Sequence, residues 1–350
     1  MDIGKLVREN IEKLKPYTSA RESHLPQDES IILLDANENA YGSVVNDNGL
    51  MLNRYPDPYH RTIKERLSEY INVNPQNLFI GVGSDEIIDL TIRIFCTPGK
   101  DKAMILEPTY GMYEVACNIN DVEVVKVELN KKFQIDFNAV KNSFDEKIKI
   151  IFLCSPNNPT GNLIEQSSIL RLAKEFPAII VVDQAYYDFA EEEIDLVKTI
   201  DLKNIILLRT FSKAWGLAGI RCGYCIAQPE IINYLYKIKL PYNLNKLTSA
   251  KVIEALENIG EKEKLKNKII SERKYLIDEL DKIRGIKKVY PSDSNFILFE
   301  VEEPKIIYER LAAKGIIIRD RSNQVKGCLR VTVGTEKENK KFIDELKKIL

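Results

Sequence analysis

The stretch Ile205-Ile206-Leu207-Leu208-Arg209-Thr210-Phe211-Ser212-Lys213-Ala214-Trp215-Gly216 runs from an apolar segment into hydroxyls, a lysine and a glycine-containing turn, and Arg221 follows eight residues after the lysine. A short apolar run that ends in turn chemistry reads as a buried strand delivering a functional loop. Lysine becomes a nucleophile toward aldehydes when its surroundings lower its pKa, and neighbouring Ser, Thr and Arg side chains can hold a phosphate beside it. A Ser-Lys pair by itself is an ordinary surface loop. The segments on either side give it meaning.

Apolar runs alternate with helical patterns from about Leu78 to Ala227. Strand-like runs fall at Leu78–Ile80, Ala103–Leu106, Val122–Val127, Ile148–Cys154, Ile179–Val182, Ile205–Leu208 and Gly223–Ala227, with helix-like stretches at Asp85–Phe95, Gly111–Asn118 and Ser167–Glu175. This alternation predicts an α/β fold, a mostly parallel sheet flanked by helices, with functional residues at the carboxyl ends of its strands. After Pro241 the pattern becomes Lys/Glu-rich and helical to about Lys282. Short strands at Phe296–Phe299, Ile316–Arg319 and Leu329–Val333 follow, with helices at Lys305–Lys314 and Lys337–Leu350, which predicts a smaller α+β domain. Near the start, Ile3, Leu6, Val7, Ile11 and Leu14 recur at helical spacing before Pro16. The expected organisation is an N-terminal helix and arm over 1–30, packed on the small domain or a partner subunit, a large domain over 31–240 and a small domain over 241–350.

Lys plus Arg number 51 against 52 for Asp plus Glu, so no net field recruits nucleic acid or anionic membrane. Small, locally recognised ligands are the expected partners. No segment has the apolar length of a membrane span or a signal peptide, which predicts a cytoplasmic address. Six cysteines lie mostly in apolar runs and read as reduced core residues. The Cys222-Gly223-Tyr224-Cys225 spacing falls in a strand pattern, where a redox motif would open a helix. Two histidines, His24 and His60, and no paired Cys-x-x-Cys argue against a zinc site.

Three further strand ends carry chemistry. Gly81-Val82-Gly83-Ser84-Asp85-Glu86 follows a strand and opens a helix, so its backbone N–H groups and the helix dipole can hold a phosphate. Glu86 stands where the dinucleotide fingerprint needs its third glycine. Ser155-Pro156-Asn157-Asn158-Pro159-Thr160-Gly161 forms a rigid turn that can present an asparagine amide to a ligand. Asp183 ends an apolar run, with Tyr186 three residues later; a buried carboxylate needs a cationic or hydrogen-bonding partner. A phosphate-bearing aldehyde with a basic ring nitrogen answers all of these, and pyridoxal 5'-phosphate (PLP), held as a Schiff base on Lys213, is that compound.

In this order, Asn158-Pro159-Thr160-Gly161, Asp183-x-x-Tyr186, Ser212-Lys213, Arg221 and Cys328-Leu329-Arg330-Val331-Thr332-Val333-Gly334 resemble the PLP-dependent transferases of fold type I, the aminotransferases in particular. Within them, Pro16-Tyr17-Thr18-Ser19-Ala20-Arg21, Asn37-Glu38-Asn39-Ala40-Tyr41-Gly42, Arg54-Tyr55-Pro56-Asp57, Ser294-Asn295-Phe296-Ile297-Leu298 and Arg319-Asp320 look like the histidinol-phosphate aminotransferase family. Gln184 departs from the Asp-Glu-Ala-Tyr usual there.

The resemblance implies roles. Lys213 bonds the cofactor and then shuttles a proton; Asp183 pairs with the pyridine nitrogen; Asn158 and Tyr186 bond the ring 3-hydroxyl; Tyr110 stacks on the ring. The backbone N–H groups of Ser84 and Asp85, the hydroxyls of Thr210 and Ser212, and Arg221 hold the cofactor phosphate, with Tyr55 reaching it from the other subunit of a homodimer that shares its active sites. Tyr17, Asn295, Arg319 and Arg330 bind substrate, with Arg321 an alternative to Arg319. The implied reaction is transamination of L-histidinol phosphate with 2-oxoglutarate in histidine biosynthesis. A threonine-phosphate decarboxylase and a broad aromatic aminotransferase are the alternatives on the same scaffold. A PLP-binding regulatory domain joined to DNA-binding helices is disfavoured by the balanced charge and the lack of a basic helix-turn-helix segment before Ile31.

Overall fold

The computed structural model describes residues 2–20, 31–191, 196–199 and 202–350. Arg21 and His24 lie outside the described residues. The larger sheet has seven strands, β1 (Leu78–Gly81), β2 (Lys102–Glu107), β3 (Glu123–Glu128), β4 (Ile148–Cys154), β5 (Ile179–Asp183), β6 (Ile205–Thr210) and β7 (Gly223–Ala227), in the order β1-β7-β6-β5-β4-β2-β3. β7 is antiparallel to both neighbours and the other pairs are parallel. β5 and β6 are buried along their whole length, as central strands covered on both faces must be.

Their side chains alternate between two cores. Ile180, Val182 and Leu207 pack with helices Arg61–Ile71 and Gln166–Glu175, whereas Ile179, Val181 and Ile206 pack with helices Gly83–Phe95 and Pro229–Ile238. The register sets Cys154 beside Asp183, Asp183 beside Leu208, and Thr210 opposite Gly223. The polar ends of the central strands are therefore level with one another.

A second sheet of four antiparallel strands, β8 (Ile286–Val289), β9 (Phe296–Val301), β10 (Arg319–Asp320) and β11 (Cys328–Thr332), has the order β10-β11-β9-β8. Leu329 and Val331 of β11 enter a core shared with Leu276, Leu280, Phe342 and Leu346 from the covering helices.

Several local expectations are corrected. The N-terminal segment is a 3-10 turn, Ile3–Leu6, and a short helix, Glu9–Glu12, separated by extended Val7. Ile3, Val7 and Ile11 pack on the helix layer of the larger sheet, not on the smaller one. There Arg8 donates its backbone N–H to Ile94 O at 2.9 Å and its side chain to Arg93 O, capping the end of Gly83–Phe95 at the expense of a continuous helix. The helical stretch after Pro241 is two helices, Lys246–Glu257 and Ile259–Asp281. Leu244, Val252 and Leu256 still belong to a core of the larger sheet and Ile259 packs against it, so packing changes over beyond Ile259. Ile316 does not open a strand because its N–H closes the preceding helix onto Leu311 O, next to Gly315 at φ +75°. β8 and the helices Arg61–Ile71, Phe137–Ser143 and Pro229–Ile238 were not legible as elements.

Among the described residues no helix is long and apolar enough to cross a membrane, and no group of His, Cys, Asp or Glu could hold a metal ion.

Candidate active site

The carboxyl ends of β4, β5 and β6, together with the start of helix Gly83–Phe95, surround one cavity of ≈ 140 Å³. Ser84, Asp85, Tyr110, Asn158, Asp183, Tyr186, Thr210, Ser212, Lys213 and Arg221 all line it.

Asp183 is 3% exposed. Its Oδ2 accepts from Tyr113 Oη at 2.8 Å and its Oδ1 from the Ala185 N–H at 3.0 Å. Burial raises its pKa above the ordinary carboxylate value, and those two donors oppose the rise without cancelling it. Lys213 reaches the same space, its Nζ 5.5 Å from the centre of the Tyr186 ring. Burial lowers the Lys213 pKa; Asp183 opposes this, and the positive charges of Arg330 and Arg221 reinforce it. A lysine placed in this way is drawn toward the neutral, nucleophilic amine.

The opposite end of the cavity is an anion cup. Gly83 sits at φ +72° where the helix begins, so the backbone N–H groups that follow face the cavity at the positive end of the helix dipole. A Cβ on Gly83 would lie 3.0 Å from Arg221 Nη2, and one on Gly223 would lie 2.6 Å from Ser84 N. Gly223 is thus required by close approach to backbone, and Gly83 by its left-handed conformation. Arg221, itself at φ +54°, donates to Asp85 Oδ2 at 3.3 Å, and Tyr110 Oη donates to Asp85 Oδ1 at 3.3 Å. Thr210 Oγ1 donates to Cys222 O and accepts from Ser212 N–H, which frames the loop carrying Lys213. Behind the cup, Glu86 Oε2 accepts from Val82 N–H at 2.6 Å and from Asn243 Nδ2 at 2.9 Å, and His60 Nε2 donates to Asn243 Oδ1 at 3.0 Å. Burial holds His60 neutral by lowering its pKa to about 4.

At the mouth, Asn158 Nδ2 donates to Tyr186 Oη at 3.5 Å, and Asn158 Oδ1 accepts from Arg330 Nη1. Arg330 lies over the Phe296 ring at 4.8 Å, and its Nε is buried without a hydrogen-bond partner. Burial and the charge of Arg321 lower its pKa to about 10.

The family model "Aminotransferase class I and II" matches residues 29–346. A histidinol-phosphate aminotransferase of Cytophaga hutchinsonii is 46% identical over 347 residues, covering 99% of this chain and 98% of that protein. One of Christiangramia forsetii is 45% identical over 350 residues, with the same coverage. The chain belongs to the histidinol-phosphate aminotransferase family, within the class I and II aminotransferases. Among solved structures, the histidinol-phosphate aminotransferase from Clostridium acetobutylicum superposes with a TM-score of 0.78 at 28% identity, covering 85% of this chain and 91% of that one. The histidinol-phosphate aminotransferase from Sinorhizobium meliloti, solved with pyridoxal-5'-phosphate, shares the fold at 23% identity with a TM-score of 0.77, covering 90% of this chain and 89% of that one. The architecture is that of the fold-type I PLP-dependent transferases.

Four residues that the family resemblance implicates, Tyr17, Tyr55, Asn295 and Arg319, do not line the cavity within one chain. Tyr17 is 76% exposed. Tyr55 stacks on Tyr242 at 4.4 Å and lines a separate groove with Pro56, Asp57 and His60. Asn295 is half-buried beside Phe296, its carbonyl accepting from Val333 N–H at 2.9 Å, and Arg319 is exposed at the edge of β10. Gln184 faces away from the cavity, its Oε1 accepting from buried Arg209 Nε at 3.0 Å.

Sequence reasoning missed Tyr113, Glu86 and Asn243. A tyrosine on a helix reads as core, which Tyr113 also is, stacked on Phe152 at 5.0 Å. Only the hydroxyl's bond to Asp183 distinguishes it. For Glu86 the signal was available: a carboxylate four residues after Val82 can bond the backbone N–H at the start of the helix.

Proposed function

We propose that this chain binds PLP through Lys213 and transfers the amino group of L-histidinol phosphate to 2-oxoglutarate, giving imidazole-acetol phosphate and glutamate in histidine biosynthesis. The supporting observation is that Lys213 and buried Asp183 face one cavity that has an anion cup at one end, with Arg330 bonded to Asn158 at its mouth. The donor set fits the cofactor. Asp183 has lone pairs beyond those taken by Tyr113 and Ala185, and a protonated ring nitrogen complements a carboxylate whose burial otherwise disfavours its charge. The cup offers backbone N–H groups, two hydroxyls and a guanidinium to a phosphate.

When bound, PLP supplies an electron sink that lets the Cα–H bond of the amino donor break. Asp183 would hold a proton on the ring nitrogen. Asn158 and Tyr186 would hold the ring 3-hydroxyl, and Tyr110 would lie against the ring. Lys213 would hold the cofactor's aldehyde carbon and would serve as the base that moves the proton from Cα of the amino donor. Desolvation suits it to this work, since only the unprotonated amine can act as base. Arg330 binds the phosphate of the donor in one half-reaction and a carboxylate of glutamate in the other, because a planar guanidinium accepts both in bidentate fashion.

The unit is a homodimer with shared sites. Tyr17, Ile32, Leu34, Tyr41, Val44 and Tyr55 are large apolar or aromatic side chains of the first part of the chain that a single chain leaves exposed. Residues 31–240 act as the cofactor domain, with the following helix packed on them, and the remainder as the substrate-side domain. Six buried, unpaired cysteines suit a reducing cytoplasmic setting.

Glutamate formation from 2-oxoglutarate that depends on L-histidinol phosphate tests the assignment. Carbon dioxide release from threonine phosphate, without glutamate formation, would favour the decarboxylase instead, since the same arginines suit any amino compound bearing a phosphate.

A further inference from the structure

The small sheet gathers three arginines on one face. Arg319 of β10 stands directly opposite Arg330 of β11. Arg321 extends the ladder past β10, its backbone N–H donating to Cys328 O at 2.9 Å. Residues opposite one another on antiparallel strands share a face, as do residues two apart on one strand. Leu329 and Val331, one step out of phase, enter the core beneath the other face.

Like charges directly opposite destabilise a strand pair. Among the described residues none of the three arginines has a carboxylate within ion-pair distance. Asp320, between two of them in sequence, is paired with Leu329 and committed elsewhere: its Oδ1 accepts from Ser322 N–H at 2.8 Å and from Ser322 Oγ. That turn fixes the backbone from which Arg321 projects. Nε of Arg321 and Nε of Arg330 are both buried with no hydrogen-bond partner. The charge of Arg321 is felt by Arg330, and Tyr186, which lines the cavity, acts in turn on Arg321. Unpartnered buried donors among three positive charges call for an anion with more than one charge and several acceptor oxygens.

We propose that Arg321 is a specificity-determining residue, which joins Arg319 and Arg330 in holding the phosphate of the amino donor and so separates a phosphate monoester from a carboxylate at the mouth of the site. This rests on the transamination assigned above. The Arg319-Asp320 pair is part of the family resemblance, beside which Arg321 stands only as an alternative to Arg319; here both arginines act together. A phosphate monoester carries about −1.5 to −2 charges near neutral pH and three strong acceptor oxygens. A carboxylate carries one charge, and a single bidentate guanidinium uses both of its oxygens. A carboxylate held bidentately on Arg330 has no oxygen left for Arg321, whereas a phosphate on Arg330 has an oxygen to spare for it.

The test compares the PLP-loaded parent with Arg321→Gln and Arg321→Lys in separate half-reactions with L-histidinol phosphate and with L-glutamate, and measures inhibition by inorganic phosphate. Arg321→Gln is expected to raise KM for the ester about tenfold or more, as loss of a charged hydrogen bond does, with kcat and the glutamate KM held within about twofold. Arg321→Lys should recover part of the loss. An unchanged ester KM in Arg321→Gln, or an equal rise for ester and glutamate, would overturn the proposal. If the parent itself ignores the ester yet reacts with glutamate, the substrate assignment fails. Phosphate inhibition then decides Arg321 independently: weaker inhibition of Arg321→Gln supports its role, and unchanged inhibition removes it.

Discussion

Arg330, on the small sheet, donates to Asn158, in the turn that follows central strand β4 of the large sheet, so a hydrogen bond at the mouth of the cavity joins the two sheets. The same loop is tied again where Gly161 O accepts from Asp293 N–H at 2.8 Å and where Asp293 Oδ2 accepts from Leu163 N–H at 3.1 Å. An anion at Arg330 therefore meets a guanidinium already held against the residue assigned to the cofactor's 3-hydroxyl.

Arg330→Ala should raise KM for both L-histidinol phosphate and glutamate by about tenfold or more, since each loses a charge-assisted contact. Steady-state kinetics with each substrate varied in turn checks this. An unchanged KM for both would remove Arg330 from the site.

Asp183 sets a pH dependence of the cofactor-free protein. Its folded pKa is raised by burial above the ordinary 3.8, so the associated stability is fully present below that value and is lost as pH rises through the folded pKa. Cofactor-free Asp183→Asn should accordingly be more stable than the cofactor-free parent at neutral pH, with the difference closing at acid pH. Urea midpoints across the pH range measure it, and PLP should bind the variant more weakly.

Gly223 lies against the anion cup with no room for a side chain, a Cβ there falling 2.7 Å from Gly83 C as well as 2.6 Å from Ser84 N. Gly223→Ala should destabilise the fold by about 1–3 kcal/mol and weaken PLP binding through displacement of the cup. Gly219→Ala, where nothing lies within 4 Å, is the neutral control. Equal PLP affinity in the two variants would contradict this account of the cup.

Gln184 leaves Arg209 with an incomplete partner. Arg209 Nη2 is buried without a hydrogen bond, while its Nε has Gln184 Oε1. Gln184→Glu supplies the opposite charge in place and should stabilise the protein by about 1–3 kcal/mol with little change in activity. A lower urea midpoint would mean that carboxylate desolvation outweighs the pairing.

The parts of this site that were legible in the sequence are those written in local order. The run Ile179–Val182 ending at Asp183, and the run Ile205–Leu208 leading to Lys213, each joined a strand pattern to a polar residue at its end. Parallel pairing then made those ends adjacent. What stayed hidden depends on distances across the fold. Tyr113 on Asp183 spans 70 positions, and the close approach of Gly223 to Ser84 crosses from β7 to the turn after β1. The N-terminal helix was misread because helical spacing carries no information about Ile94 O, the acceptor that holds Arg8. Tyr17 and Tyr55 do not reach the cavity within one chain: Tyr17 is largely exposed and Tyr55 stacks on Tyr242.

The most direct measurement is the absorbance spectrum of PLP-loaded protein before and after L-histidinol phosphate is added without an oxo-acid acceptor. The visible band of the lysine-bound cofactor is expected to be replaced by that of its amino form and to be restored by 2-oxoglutarate, and Lys213→Ala is expected to show no such band. A band that persists in the presence of L-histidinol phosphate, or one that forms equally in Lys213→Ala, would contradict the assignment.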